Sequence, residues 1–262
     1  MAEVGGKIRL FVEAALGPGA EVALDPGQAH YLFSVMRLGA GDRVAIFNGR
    51  DGEWLAEVAA AGKRSGRLAV VAAGQPQRVP PDLWLLFAPI KKARTDFIVE
   101  KAAELGAARI QPVFTRFTNA ERLRPERLRA HAVEAAEQCG ETYVAEVGEP
   151  ARLATLLDGW DPGRRIMFCD ESRAARPAAE ALAGEGGGPW AILIGPEGGF
   201  APEEATRLRV MPEVLPVTLG PRVLRADTAA CAALAIWQAT LGDWRPGQRS
   251  DGQRGFGPEA GS

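Results

Sequence analysis

The chain has 262 residues and a mass of 27.9 kDa, enough for two compact domains. Hydrophobic residues make up 47% and charged residues 24%, which excludes a wholly disordered chain. Net charge is −2, and Cys139, Cys169 and Cys231 lie far apart with no CxxC pair, which argues against a disulfide scaffold or a zinc ribbon and for a reducing cytoplasm. No apolar run reaches ~18 residues and the N-terminus lacks a signal-peptide pattern, so no membrane association is expected.

In chain order, residues 1–74 read as short strands with glycine-rich turns, the pattern of a small β-barrel. Candidate strands are 8–12, 21–24, 42–47, 53–58 and 67–72, and the turn Asn48-Gly49-Arg50-Asp51-Gly52 joins two of them as a hairpin. A helix is expected over 30–38. The Pro-rich stretch from Gly74 to Pro81 marks a domain boundary. Strands then alternate with helices, which predicts an α/β domain with a largely parallel sheet over 75–244. Strands are expected at 83–90, 109–114, 166–169, 191–194 and 214–217. Helices are expected at 96–105, with Phe97, Ile98, Ala102 and Leu105 inward, from Pro125 to about Gln138, from Pro202, and over 228–241. Residues 245–262 hold five Gly and two Pro and read as a disordered tail. Residues 75–129 carry 11 basic against 6 acidic residues, a local excess of +5 in an acidic chain, which suggests a polyanion contact.

Two segments carry the chemistry. In Ile192 to Phe200 (ILIGPEGGF) an apolar strand runs into Gly195-Pro196-Glu197-Gly198-Gly199, and Pro202 opens a helix. Glycines at a strand's carboxyl end admit a ligand to the backbone, and the helix start offers free N–H groups. In Leu219 to Thr228 (LGPRVLRADT) a second strand ends in a Gly-Pro turn followed by Arg222 and Arg225, which suit a phosphate or carboxylate. Two such loops in one α/β sheet can converge on one ligand. Lys91, Lys92, Arg94 and Lys101 follow the apolar run at 83–90 and suit the phosphates of a nucleic acid. The two histidines, His30 and His131, allow no nucleophilic triad and supply no metal set.

At these residues the chain resembles the RsmE-like family of the SPOUT superfamily, bacterial 16S ribosomal RNA uridine-N3 methyltransferases. The resemblance runs from about Arg9 to Asp243. It rests on His30 with Met36-Arg37-Leu38 and Gly41-Asp42; Lys91 and Lys101 with Glu104-Leu105-Gly106; Glu137-Gln138; and above all the pair IGPEGG at 194–199 and LGPRVLR at 219–225. It implies an N-terminal PUA-like β-barrel for RNA binding and a C-terminal α/β domain with a deep trefoil knot. It implies S-adenosylmethionine held by Ile194, Gly195, Pro196, Glu197, Gly198, Gly199, Leu219, Gly220, Val223, Leu224 and Thr228. It implies 16S ribosomal RNA or the small subunit as substrate, and a homodimer with the active site near the interface. The Ala-rich helix 228–241 would form that interface, with Trp237 as anchor. No metal is needed. RNA contacts are expected from Arg9, His30, Arg37, Lys91, Lys92, Arg94, Lys101, Arg116 and Gln138. Arg225 and Arg222 are the catalytic candidates, to stabilise a uridine anion or hold phosphate. Glu197 is a third, to accept a proton or order its loop. Where the family usually has an arginine and then a proline after Gln138-Cys139-Gly140, Glu141 and Ala145 stand. The rival readings are a SPOUT methyltransferase of another RNA position and a non-catalytic RNA-binding assembly factor.

Overall fold

A computed structural model describes residues 8–119, 123–172 and 174–245. Two sheets organise the chain. The first joins β1 (Arg9–Phe11), β2 (Glu21–Leu24), β3 (Arg43–Phe47), β4 (Glu53–Ala61) and β5 (Gly66–Ala73) in the order β1-β3-β4-β5-β2. Its pairings are antiparallel except β1 with β3. Alternation drives it: Val22, Leu24, Val44, Ile46, Val58 and Leu68 face one buried core. The expected hairpin forms with Phe47 opposite Glu53. Asn48 builds its turn, accepting from the Arg50 and Asp51 N–H groups.

The helix expected at 30–38 starts earlier. The Asp25 side chain accepts from the Gln28 N–H and the Gln28 side chain accepts from the Asp25 N–H, a capping box, and α1 (Pro26–Ala29) runs into a π-helical turn over His30–Val35. The helical path ends by Arg37, whose φ of 59° is the one positive value at a non-glycine among the described residues.

The second sheet is parallel throughout. It contains β6 (Leu83–Phe87), β7 (Arg109–Phe114), β8 (Glu146–Val147), β9 (Ala151–Arg152), β10 (Arg165–Cys169), β11 (Arg176–Pro177), β12 (Trp190–Ile194) and β13 (Val214–Thr218). Their order is β11-β13-β10-β12-β6-β7-β8, with β9 paired to β7. The helices are α2 (Lys92–Glu104), α3 (Pro125–Cys139), α4 (Leu153–Asp158), α5 (Ala178–Leu182), α6 (Pro202–Val210) and α7 (Ala226–Thr240). Strand β12 is buried at every position, as a central strand covered on both faces must be.

Several expectations need correcting. α2 begins at Lys92 rather than Asp96, because the basic run forms its first turn. Phe97 is 40% exposed, while Ile98, Val99 and Ala102 face inward. Trp237 is buried inside its own domain at 1% exposure, so it anchors no second copy. The tail expected at 245–262 lies outside the described residues apart from Arg245.

Arg9, expected on an RNA surface, instead joins the two sheets' domains. Its Nε donates to Glu53 at 2.8 Å, and its Nη1 donates to the Ala136 and Glu137 carbonyls. Its Nη2 donates to the Glu141 carbonyl at 2.9 Å. These carbonyls close α3, where a cation meets the negative end of the helix dipole. The Phe11 N–H in turn donates to Glu137. All three Arg9 nitrogens are therefore engaged inside the protein, and four of its five N–H groups are spent there.

Candidate functional site

The strands β12, β10 and β13 lie side by side and point the same way, so the segments beyond all three gather at one edge. Such an edge is where open α/β sheets bind ligands. A crevice of about 480 Å³ opens there. Its walls are residues 194–199 after β12, 218–220 and 222–225 after β13, and Cys169-Asp170-Glu171 after β10. The two glycine loops picked out in the sequence thus face one cavity. Ala226 and Ala229 of α7 complete it.

The glycines have different reasons to be there. At Gly195 a Cβ would lie 2.5 Å from the Phe200 ring, and at Gly199, with φ of 74°, it would meet Glu171. These two serve the packing of the loop. A Cβ on Gly198 would touch only Phe117, at 3.5 Å, and one on Gly220 would meet nothing within 4 Å. Gly220 has φ of 115°, a conformation reserved for glycine. Packing against the protein therefore does not account for Gly198, and at Gly220 the backbone conformation rather than crowding calls for glycine.

The third wall went unpredicted. Asp170 is buried, receives both Arg209 hydrogen bonds and accepts from the Ser172 N–H. Glu171 accepts from the Phe200 N–H at 2.9 Å and so ties the first glycine loop to the end of β10. The signal for it was a parallel strand, RIMFC, followed at once by Asp170-Glu171-Ser172. Burial pushes the Cys169 thiol up to about 12, so it stays protonated and is no nucleophile at neutral pH.

Arg222 and Arg225 are exposed beside the crevice, and their side chains make no hydrogen bond or ion pair among the described residues. Arg225 is the N-cap residue of α7. Glu197 is exposed and engaged: Arg94 donates to it, and Arg94 Nε also lies 3.7 Å from Asp227. Thr228 does not line the crevice. Its hydroxyl and N–H turn to Asp227. The N–H groups expected free at the start of α6 are partly taken, since Glu204 accepts from both Ala201 and Arg116.

Part of the basic segment is neutralised. Besides Arg94, Lys101 pairs with Glu104, Arg109 with Glu146, Arg127 with Asp96 and Arg129 with Glu13. Lys91, Lys92 and Arg116 form no ion pair among the described residues and are exposed. On the barrel, His30 and Arg37 are exposed. Gln138 lines a groove between the barrel and α3 with Glu13, Glu126, Glu134 and Glu137. That groove is acidic and does not favour phosphate. Glu100, His131 and Glu134 bring their ligand atoms within 4.8 Å of one another, with Asp96 on the other side of the imidazole. This cluster bridges α2 and α3 and lines no part of the crevice. Among the described residues no helix is long and apolar enough to cross a membrane.

Comparison with known proteins adds to this geometry. The family described as RNA methyltransferase domain matches residues 77–238, and the family described as RNA methyltransferase PUA domain matches residues 24–71. The ribosomal RNA small subunit methyltransferase E of Rickettsia conorii is 28% identical over 230 residues, covering 87% of this chain and 93% of the relative. The protein of the same name from Synechocystis is 30% identical over 229 residues, covering 85% of this chain and 74% of its own length. Among solved structures, a methyltransferase of Legionella pneumophila in complex with the cofactor SAM superposes with a TM-score of 0.82 at 27% identity, over 90% of this chain and 98% of that one.

Proposed function

We propose, from the premise that this chain belongs to the RsmE-like RNA methyltransferase family, that it uses S-adenosylmethionine to methylate N3 of a uridine in 16S ribosomal RNA. The observation that carries this reading is the convergence of both glycine loops on one crevice. Its volume falls in the ~300–1,000 Å³ range of small-ligand sites. Ile194, Leu219, Val223 and Leu224 offer apolar walls for an adenine ring. With no side chain, Gly198 and Gly220 on the crevice wall leave room for the ligand's polar edge. S-adenosylmethionine, when bound, supplies an electrophilic methyl group on a sulfonium. The knotted threading implied by the family would form around these loops.

The chain's own residues then do three things. The crevice holds one partner while exposed Lys91, Lys92 and Arg116 hold RNA phosphates, so much of the acceleration comes from positioning. Uridine N3 must lose its proton, to solvent water, before it attacks, and the pyrimidine becomes an anion. Arg225, at the crevice wall with its guanidinium unengaged, stabilises that anion. Arg222 holds the adjoining phosphate. Glu197 is committed to Arg94 and serves to order its loop rather than to take the proton.

The barrel domain, placed within 1–74, would deliver the RNA to the catalytic domain within 75–244. We further propose a homodimer in the cytoplasm that uses half-buried Ala229, Ala232 and Ala235 of α7 without Trp237. The deciding experiment is methyl transfer to small subunits from a strain deleted for this protein, followed by mass spectrometry of the nucleosides. Appearance of N3-methyluridine is the expected result. Methylation at another nucleoside would replace the uridine assignment, and no transfer would favour a binding protein.

A further inference from the structure

Arg94 stands next to the crevice without lining it. It comes from the first turn of α2, just beyond the end of β6. Its guanidinium donates to Glu197, in the first glycine loop, and its Nε lies 3.7 Å from Asp227, in the first turn of α7. Glu197 is the middle residue of the first loop and Asp227 follows the second loop by two residues, and both loops line the cavity. A planar fork can serve two carboxylates at once, which a lysine cannot do as well.

The anchor behind the fork is rigid. Thr95 is 2% exposed, and its hydroxyl both donates to the Ile90 carbonyl and receives the Ile90 N–H. The Arg94 and Thr95 N–H groups donate to the Lys91 carbonyl. α2 packs along α7 and α3 and buries Ile98, Val99 and Ala102 in the main core. The backbone that carries Arg94 is therefore fixed to the sheet, whereas the loops it grips are the parts that a ligand must enter.

We infer that Arg94 is a positioning residue: it holds the two glycine loops at a set separation and so governs cofactor affinity and the aim of Arg225. Arg225 lies two residues before Asp227, and α7 starts between them, so a shift of Asp227 moves Arg225 with it. With two carboxylates on it, the Arg94 charge is offset and does not serve phosphate, contrary to its reading as an RNA contact. The inference rests on the crevice being the S-adenosylmethionine site.

The test is calorimetric titration of S-adenosylmethionine into the full chain and into Arg94→Gln, Arg94→Lys, Glu197→Gln and the Arg94→Gln/Glu197→Gln double variant, with RNA affinity measured in parallel. If the wild type does not bind, the crevice reading fails and takes this inference with it. With wild-type binding in place, Arg94→Gln is expected to weaken affinity roughly two- to fivefold, the scale of partly exposed ion pairs. Arg94→Lys should recover part of it, and the double variant should be no weaker than the worse single one. RNA affinity should stay unchanged. Unchanged cofactor affinity with weakened RNA binding would assign Arg94 to phosphate and overturn the inference. So would additive losses in the double variant.

Discussion

Arg209 grips Asp170 through both carboxylate oxygens, with Nε to Oδ2 at 2.8 Å and Nη2 to Oδ1 at 2.9 Å. Asp170 follows β10 at the crevice, and Arg209 lies in the helix that follows the first glycine loop. One bidentate pair thus ties the far side of that loop back to the sheet. Because the Asp170 side chain is only 4% exposed, the pair is also a point where pH acts on the fold.

Burial pushes the Asp170 carboxyl up, but hydrogen bonds from Arg209 and Ser172 outweigh it and hold it below the ordinary carboxylate range. A depressed folded pKa gives stability that is present above the unfolded value near 3.9 and is lost as pH falls toward the folded one. Arg209→Gln should therefore cost about 2 kcal/mol at pH 7. The gap to wild type should narrow below about pH 4, where the unfolded carboxylate protonates. Denaturant unfolding of both proteins at pH 7 and pH 3 measures it, and a gap equal at both pH values would contradict the assignment.

The glycines should separate by role. Gly198→Val meets only Phe117 and should leave the melting temperature near wild type while abolishing S-adenosylmethionine binding. Gly199→Ala forces a left-handed backbone against Glu171 and should lower stability by about 1 kcal/mol or more. Thermal melts beside calorimetry would show the contrast. A Gly198→Val protein that binds normally would remove that residue from the site.

Arg225→Ala should keep cofactor affinity and lose turnover on the order of 10²–10³-fold, the cost of removing one preorganised donor elsewhere. Arg225→Lys should regain little, because it lacks the planar fork. Single-turnover rates at saturating RNA check this. Recovery of the Ala variant at high RNA concentration would move Arg225 from the reacting base to a phosphate.

Arg9→Ala should act on the junction between the domains. It strips Glu53, 7% exposed, of its cation and frees three carbonyls at the end of α3. Losing one partner of a buried pair costs about 3–5 kcal/mol. Unfolding followed by tryptophan fluorescence should become less stable by that amount, or split into two transitions. Cofactor binding should persist below the first transition. A melt identical to wild type would show that the junction is held by other contacts.

Local pattern alone placed much of this molecule. Alternation drew the barrel strands, and the apolar runs LWLLF and WAILI drew the buried parallel ones. The two-residue strands β8, β9 and β11 had no period to read and were missed. The short helices α4 and α5 were missed as well, because one or two turns leave no stripe to count.

The same division holds in the site. IGPEGG and LGPRVLR were legible because each couples an apolar strand to a glycine turn within ten residues. The sequence by itself therefore determined the strand-turn-helix units and the two loops on the crevice. It could not say which charges remain free. Arg9, Arg94, Arg127 and Arg129 read alike with Lys91 and Arg116, as basic residues in basic or exposed contexts. Only the fold brings Glu53, Glu197, Asp96 and Glu13 to the first four, from 31 to 116 positions away, while the side chains of Lys91 and Arg116 pair with no acid among the described residues. Ion pairing falls off steeply with distance in space and is indifferent to distance along the chain, so the tertiary structure alone decided which cations brace the protein and which stay unpaired.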